Sequence, residues 1–434
     1  MSTFTRTLVL ALALSALPAV AHAQPGAGGS FEVLTYNVAG LPEPLSSGNP
    51  AVNTPLISPR LSAYDVVAVQ EDFNYHAALY AGDDHAHRTP TSGGVPFGSG
   101  LNTLSHRPYL DLERTKWTSC NGTDCLTPKG FTHQRIVLAE GVSVDVYNLH
   151  PNAGTEPADL AARRANITQL SRRIATHSAG QAVIVLGDTN TRYTRADDNI
   201  RDLVTANGLT DAWVQLERGG QAPAAGSPAL VCDPAAVTDS CEVVDKILYR
   251  GNRQVTLTAR DYRNDNAAFL DAAGKPLSDH HPIATRFDWT ADEDLRLSAE
   301  AGGPHGTPFT DVAAVDRGPL RTVGLRGGSR LDQISASYAD GATLTHGGTG
   351  GTATSLTLAP GEHFVSAKLS QGKHNGRTRV FSATLTTTTG RVLSAGQPTG
   401  ETTTFTAPAG WRIAGFTGRS GDEVDRLGVI FTPA

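Results

Sequence analysis

The feature that most constrains this chain is a change of texture at Trp289. Before it, short β-branched runs ("FEVLTYNV", "DVVAVQ", "VSVDVYNLH", "AVIVLGD" and "EVVDKILYR") interleave with "PADLAARRANITQLSRRIATH", in which Leu160, Ile167, Leu170 and Ile174 recur at helical spacing. After it the helical periodicity vanishes, and short alternating strands run between residues rich in Gly, Thr and Ser. A mixed 2 and 3.6 period implies a layered α/β core, whereas period 2 alone implies sheets packed on sheets. At 434 residues and 39% hydrophobic, the chain is long enough to bury two such cores. The expected division is an α/β domain over 24–290, a short acidic linker over 291–298 and an all-β domain over 299–434.

The first 23 residues carry Arg6, then an apolar run ending in Ala21-His22-Ala23, the small-x-small pattern of a cleaved signal peptide. The mature chain is expected to begin at Gln24. No later stretch approaches the roughly 18 consecutive apolar residues of a membrane span, so a secreted, extracellular protein is expected. Such a compartment oxidises thiols, and the four cysteines fall in two close pairs, Cys120 with Cys125 and Cys232 with Cys241, read as short-loop disulfides. A tetrathiolate zinc site is the weaker reading, because the pairs would have to converge and neither has the usual two-residue gap. The net charge of −6 comes from residues 1–298, while 299–434 is slightly basic. That balance is a poor trap for long polyanions, which bind through clustered Lys and Arg. Arg163, Arg164, Arg172 and Arg173 do share one helix, where they read as its solvated face.

Polar residues repeatedly mark the ends of the strands: Asn37, Glu71, His150, Asp188 with Asn190, Asp245, and Asp279 with His280. In α/β layers, sites are built at such ends. Together the residues supply carboxylates for a hard divalent cation, amides to orient phosphate oxygens, and histidines for proton transfer. Asp188 and Asn190 of "GDTN" are two positions apart, so on an extended strand end their side chains would point the same way.

The stretches "TYNVAGLP", "VVAVQED", "YNLHPNAG", "VLGDTN", "VVDKI" and "SDHHPI" follow one another in an order that resembles the endonuclease/exonuclease/phosphatase superfamily across residues 31–289. The resemblance implies a four-layer α/β sandwich, two central sheets flanked by helices. It assigns Asn37, Glu71 and Asp279 to the metal side, with Glu71 the main ligand of Mg²⁺, for which Mn²⁺ or Ca²⁺ could substitute. It gives His150, Asp188 and Asn190 contact with the scissile phosphate, makes Asp245 the partner of a catalytic histidine or a metal-bound water, and makes His280 the base, with His281 at a variable position.

Within that superfamily, "CNGTDCLTPKGF" and "GSGLNTLS" resemble secreted bacterial sphingomyelinases C, implying a phospholipid substrate at a membrane surface. Two departures stand out: His150 sits in "NLHPNA", and the stretch 250–276 lacks tandem aromatics for insertion into lipid. Tyr262, Phe269 and Leu270 there read as core residues. A secreted nuclease, with nucleic acid as substrate, and a catalytically silent glycan-binding adhesin remain the alternatives.

In the second region, "GGPHG", "HGGTGG" and "GQPTG" recur at roughly threefold spacing, which suggests an internal repeat of strands. "GGPHGTPFTD", "LAPGEHFVSA" and "IAGFTGRSGDEVDRLGVIF" resemble a jacalin-like lectin domain, which implies a β-prism of three four-stranded sheets that binds glycans. One implied sugar site joins Gly421 and Asp425 to Gly302 and Gly303. A second joins Gly328 and Asp332 to Gly347 and Gly348. Asp422 and Glu423 leave the choice between mannose and galactose open.

Overall fold

The computed structural model describes residues 27–434 apart from 44 and 47, so the expected signal peptide and the start at Gln24 lie outside the described residues. Two sheets of seven and six strands form the first domain. Strand alternation explains how the first of them is covered on both faces. Phe31 and Val33 of strand Gly28–Asn37, with Val66 and Ala68 of strand Val66–Gln70, join a core shared with Val144, Val183 and Ile247 of the second sheet. Leu34, Tyr36, Val67 and Val69 point the other way, against Ile57 and Leu61 of helix Pro50–Leu61. On the second sheet, Ile167, Leu170 and Ile174 of helix Pro157–His177 join the main core, where truncating Leu170 to Ala would cost roughly 2–5 kcal/mol. The result is the expected four-layer sandwich.

That helix also corrects the reading of its arginines. Arg172 is exposed, but Arg163 is fully buried, with Nε 2.9 Å from Asp198 Oδ1 and Nη1 donating to the carbonyls of Asn152 and Gly154. Helical spacing placed all four on one helix but could not show that a loop carboxylate would roof one of them. In the stretch 250–276, Tyr262 and Phe269 are buried, as expected of core residues.

Strand direction brings the polar ends together. Gly28–Asn37 and Val66–Gln70 run parallel, joined by helix Pro50–Leu61, so Asn37 and Glu71 emerge at the same end. Val142–Leu149 and Val183–Asp188 are likewise parallel, joined by helix Pro157–His177, so His150 and Asp188 emerge together. Asp245–Arg250 and Ile283–Ala291 are antiparallel to these and begin where they stop, with Asp245 opposite Asp188 and Ile283 opposite Thr35. Asp245 therefore opens its strand rather than closing one, and Asp279 and His280 precede theirs.

The second domain is a prism of three antiparallel sheets. Two have four strands. The third has five segments, because its outer strand is split into Arg296–Leu297 and Ala301–Gly302, both paired to Val424–Pro433. The threefold repeat is explicit in the backbone: Gly302, Gly347 and Gly396 all have positive φ, and a Cβ on them would stand 2.2, 2.2 and 2.0 Å from the carbonyl oxygens of Asp425, Asp332 and Phe381.

The prism is clamped to the edge strand Tyr109–Lys116 of the sandwich. Arg426 grips Asp111 through two bonds of 2.8 and 2.9 Å, and Arg419 Nη2 lies 2.7 Å from Glu113 Oε1. Leu110, the residue before Asp111, pairs with Arg135, Arg135 with Asp145, and Asp145 with Val183. Val183 is five residues, about 17 Å of strand, before Asp188. The lectin-like domain therefore attaches toward the end of the sandwich opposite the polar strand ends.

Candidate functional site

Asn37, fully buried, is the hinge of the polar cluster. Its Oδ1 accepts from the Ala39 N–H at 3.0 Å, and its Nδ2 donates to Glu71 Oε1 and Asp188 Oδ2, both at 3.2 Å. Glu71 follows its strand with φ 59°, a turn pressed by Gly40 and Gly100, whose Cβ positions would collide with its backbone or with Phe73. That turn lifts a half-buried carboxylate into the opening.

Asp188, 1% exposed, stands between two histidines, with His150 Nε2 at 3.2 Å and His280 Nε2 at 3.6 Å. His280 Nδ1 in turn lies 3.0 Å from Asp245 Oδ2, and its backbone N–H donates to Ser278 Oγ, which donates to the Asn37 carbonyl at 2.6 Å. Burial alone would raise Asp188, but the charges of His280 and His150 outweigh it and hold the carboxyl well below its ordinary range. Burial would lower His280, but Asp245 and Asp188 outweigh it and hold the imidazole well above its usual value. For Asp245 burial wins, and its pKa rises. The Asp245 bond orients the ring so that Nε2 faces the cluster, the arrangement a positioned acid–base group needs.

His281 is half-buried, pushed down by burial and by the adjacent His280. It lines a cavity of about 330 Å³ beside His280, together with Arg192, Val231 and Cys232. Asp279 is exposed, its Oδ1 3.4 Å from Ser278 Oγ, and it lines the same cavity. Asn190 joins the cluster by a route the extended-strand argument missed. Its φ is 51°, and its N–H donates to Asp188 Oδ1 at 2.9 Å, so a tight turn rather than strand alternation sets it beside Asp188.

One residue escaped the sequence reading. Lys129 Nζ lies 3.1 Å from His150 Nε2 and pairs with Asp124, whose other oxygen accepts from the Ala153 N–H at 2.7 Å. Asp124 sits inside the loop closed by Cys120 and Cys125, so a disulfide and a carboxylate together hold a lysine on the site. The only available signal was the nearness of that loop to "PKGF". The second expected disulfide, Cys232–Cys241, is also formed.

Three carboxylates and an amide therefore converge with two histidines, and ligand atoms of Asp188, Asp245 and His280 lie within 4.8 Å of one another. Asp188 and Asp245 already face His280, whereas among the described residues no lysine or arginine pairs with Glu71. The oxygen-rich set fits a hard divalent cation, with Glu71 the carboxylate most available to it.

Residues 50–286 match Endonuclease/Exonuclease/phosphatase family 2. The chain belongs to this family. Residues 298–430 match the jacalin-like lectin domain. A sphingomyelinase of Mycobacterium tuberculosis is 43% identical over 273 residues, covering 61% of this chain and 54% of the relative, so the chain spans about half the length of that protein. Horcolin of Hordeum vulgare is 29% identical over 139 residues, 30% of this chain and 95% of the lectin. The solved sphingomyelinase C of Streptomyces griseocarneus is 19% identical, covering 59% of this chain and 99% of that one at a TM-score of 0.42.

In this family member's prism, the two implied sugar sites differ. Gly302 pairs with Arg426 beside Asp425, the Gly303 N–H donates to the Asp425 carbonyl at 2.8 Å, and a Cβ on Gly421 would stand 3.8 Å from Asp425 Oδ2. Asp425 itself is 1% exposed and in contact with Arg379. Gly347 and Gly348 meet Asp332 in the same way, the Gly348 N–H donating to the Asp332 carbonyl at 2.9 Å, and Asp332 remains half-buried. Gly350 and Gly351 approach its carboxylate so closely that Cβ atoms there would fall 2.9 and 2.5 Å from its oxygens. The third repeat carries Phe381 in the position of these aspartates and offers no carboxylate.

Proposed function

We propose that this chain is a secreted, Mg²⁺-dependent phosphodiesterase that cleaves the head group of sphingomyelin or a related phospholipid, and that its C-terminal domain binds glycans. The observation that carries the catalytic reading is the continuous line Asp245, His280, Asp188, His150 at one end of the sandwich, with Glu71 beside it. The similarity to mycobacterial sphingomyelinase supports the substrate class.

In this reading Asp245 orients His280, and it is the unprotonated ring, the fraction that its raised pKa confines to higher pH, whose Nε2 takes the proton of the attacking water. Asp188 stabilises the imidazolium that forms, and that stabilisation is strongest after proton transfer, where it lowers the barrier. His150, Lys129 and Asn190 donate to the phosphoryl oxygens as negative charge builds there. A divalent cation at Glu71, which Asn37 touches, would supply Lewis-acid stabilisation of the phosphoryl group. The cavity beside His280, lined by Arg192 and His281, gives the leaving group or head group room.

The test is a product assay on sphingomyelin vesicles, phosphatidylcholine vesicles and supercoiled DNA in one Mg²⁺ buffer, with and without EDTA. Release of phosphocholine that EDTA abolishes is expected. DNA nicking without phosphocholine release would establish the nuclease reading, and no turnover of any substrate would leave a glycan-binding protein.

A further inference from the structure

The four most exposed large apolar side chains among the described residues are Phe97, Leu45, Leu126 and Val231, at 83, 66, 63 and 62%. They belong to four separate loops, and each loop is fastened beside a different residue of the polar cluster. Ser46 Oγ, next to Leu45, donates to the Ala39 carbonyl at 2.8 Å, and the Ala39 N–H reaches Asn37. The loop of Phe97 ends at Gly100, whose carbonyl accepts at 3.0 Å from the N–H of Asp72, the residue after Glu71. Leu126 follows the disulfide loop whose Asp124 pairs with Lys129 at His150. Val231 shares a cavity wall with His280. Apolar side chains scattered singly over a surface need no explanation, but here the most exposed ones gather at the mouth of one site, which marks an interaction surface.

Charge selects what that surface meets. The loop sequences 38–49, 90–100, 120–126 and 227–241 contain no Lys or Arg and carry Glu43, Asp124, Asp233 and Asp239. Attraction to an anionic membrane rests on clustered basic residues, so on these loops apolar insertion has to supply the binding, and a neutral surface suits it. The prism docks toward the other end of the sandwich, through Arg426 and Asp111, and leaves this end clear.

We infer that Leu45, Phe97, Leu126 and Val231 form a rim that sinks into the headgroup boundary of a zwitterionic phospholipid bilayer and seats the polar cluster over it. The stretch 250–276 carries no tandem aromatics for that task. The inference rests on the phospholipid reading above and adds which residues hold the lipid surface and what charge that surface has.

The experiment uses the full chain. Binding is measured by sedimentation in EDTA, so that it reads adhesion rather than turnover, with vesicles of phosphatidylcholine alone or mixed with phosphatidylserine. Wild type should bind the neutral vesicles at least as tightly as the anionic ones. Phe97→Ser should weaken that binding about tenfold, and the combined variant Leu45→Ser, Phe97→Ser, Leu126→Ser more than about a hundredfold, as expected for withdrawing buried apolar side chains. Val392→Ser, which removes a comparably exposed side chain from the prism, should bind as wild type does. With Mg²⁺ restored and sphingomyelin in the vesicles, phosphocholine release by the combined variant should fall in step with binding, while hydrolysis of soluble bis-p-nitrophenyl phosphate stays within about twofold. Undiminished vesicle binding by the combined variant, a preference of wild type for anionic vesicles, or an equal loss on the soluble ester would each overturn the inference. Wild type that binds neutral vesicles through these residues but releases no phosphocholine would uphold the rim and refute the phospholipid substrate. Wild type that releases phosphocholine from detergent-dispersed sphingomyelin without binding vesicles would uphold the substrate and refute the rim.

Discussion

The end of the sandwich and the loops of the prism both gather aspartates by pairing distant strands, yet they leave them in opposite states. Around His280, the carboxylates of Asp188 and Asp245 share one imidazole, and half-buried Glu71 is approached by His150 at 4.0 Å but, among the described residues, by no lysine or arginine. Around Asp425, a single arginine from another sheet engages the carboxylate. A carboxylate facing an imidazole has a partner whose own charge changes near neutral pH, whereas one facing a guanidinium has a partner that stays charged. The same residue type thus meets a titratable partner in one region and a permanently charged one in the other.

The largest effect that could break this comparison is at His280. His280→Ala should reduce turnover by roughly 10²–10⁴-fold or more, while His281→Ala, outside the line Asp245, His280, Asp188, should retain most of it. Equal losses in two folded variants would mean that the Asp245 bond does not select the working ring.

Asn37 sharpens the contrast next, since it touches Glu71 and Asp188 without being charged. Asn37→Ala should raise the Mg²⁺ concentration for half-maximal activity about 10–100-fold, the usual cost of removing a partner that orients a ligand. An unchanged Mg²⁺ dependence would place the cation away from Glu71.

The junction of the two regions should answer to acid. Burial would raise Asp111 and Glu113, but Arg426 and Arg419 outweigh it and hold both carboxyls below their usual values. A depressed carboxylate stabilises the docked form above its unpaired pKa, and that contribution disappears as pH falls through and below the range near 4. Thermal melts should therefore show the two domains unfolding together near neutral pH and separately near pH 3. Coincident transitions throughout would mean that apolar contact, not the Arg426 clamp, holds the junction.

The smallest effect belongs to helix Pro157–His177. Substituting exposed Arg172 with Ala should leave urea stability within about 0.5 kcal/mol, whereas Arg163→Met, which strands Asp198 in the interior, should cost about 3–5 kcal/mol. Equal effects would mean that Arg163 is solvated after all.

Much of the architecture was legible in particular residues. Leu160, Ile167, Leu170 and Ile174 announced their helix, and the β-branched runs announced strands, because amphipathic burial imposes its period directly on the sequence. Six polar strand ends could be picked out because a core does not tolerate Asn37 or Asp188 without a purpose. Lys129 was not legible as part of the site, since nothing local distinguishes a lysine after a disulfide loop from a solvated one. Asn190 was legible for the wrong reason, because a left-handed turn and an extended strand can place the same two side chains together.

By itself the sequence determined that an α/β region precedes an all-β one and which residues carry chemistry-capable groups, whereas the segment expected as a linker over 291–298 supplies Arg296–Leu297 to a sheet of the prism. What it determined follows from periodicity and composition, which act over neighbours in the chain. Tertiary structure alone decided that Asp245 meets His280 across 35 residues, that Asp198 buries Arg163, and that Arg379 of one sheet reaches Asp425 and Glu423 of another part of the prism. Charge pairing acts through space over a few ångströms in a medium that screens poorly, so the partner of a buried ionised group depends on the packing of sheets that no local pattern records.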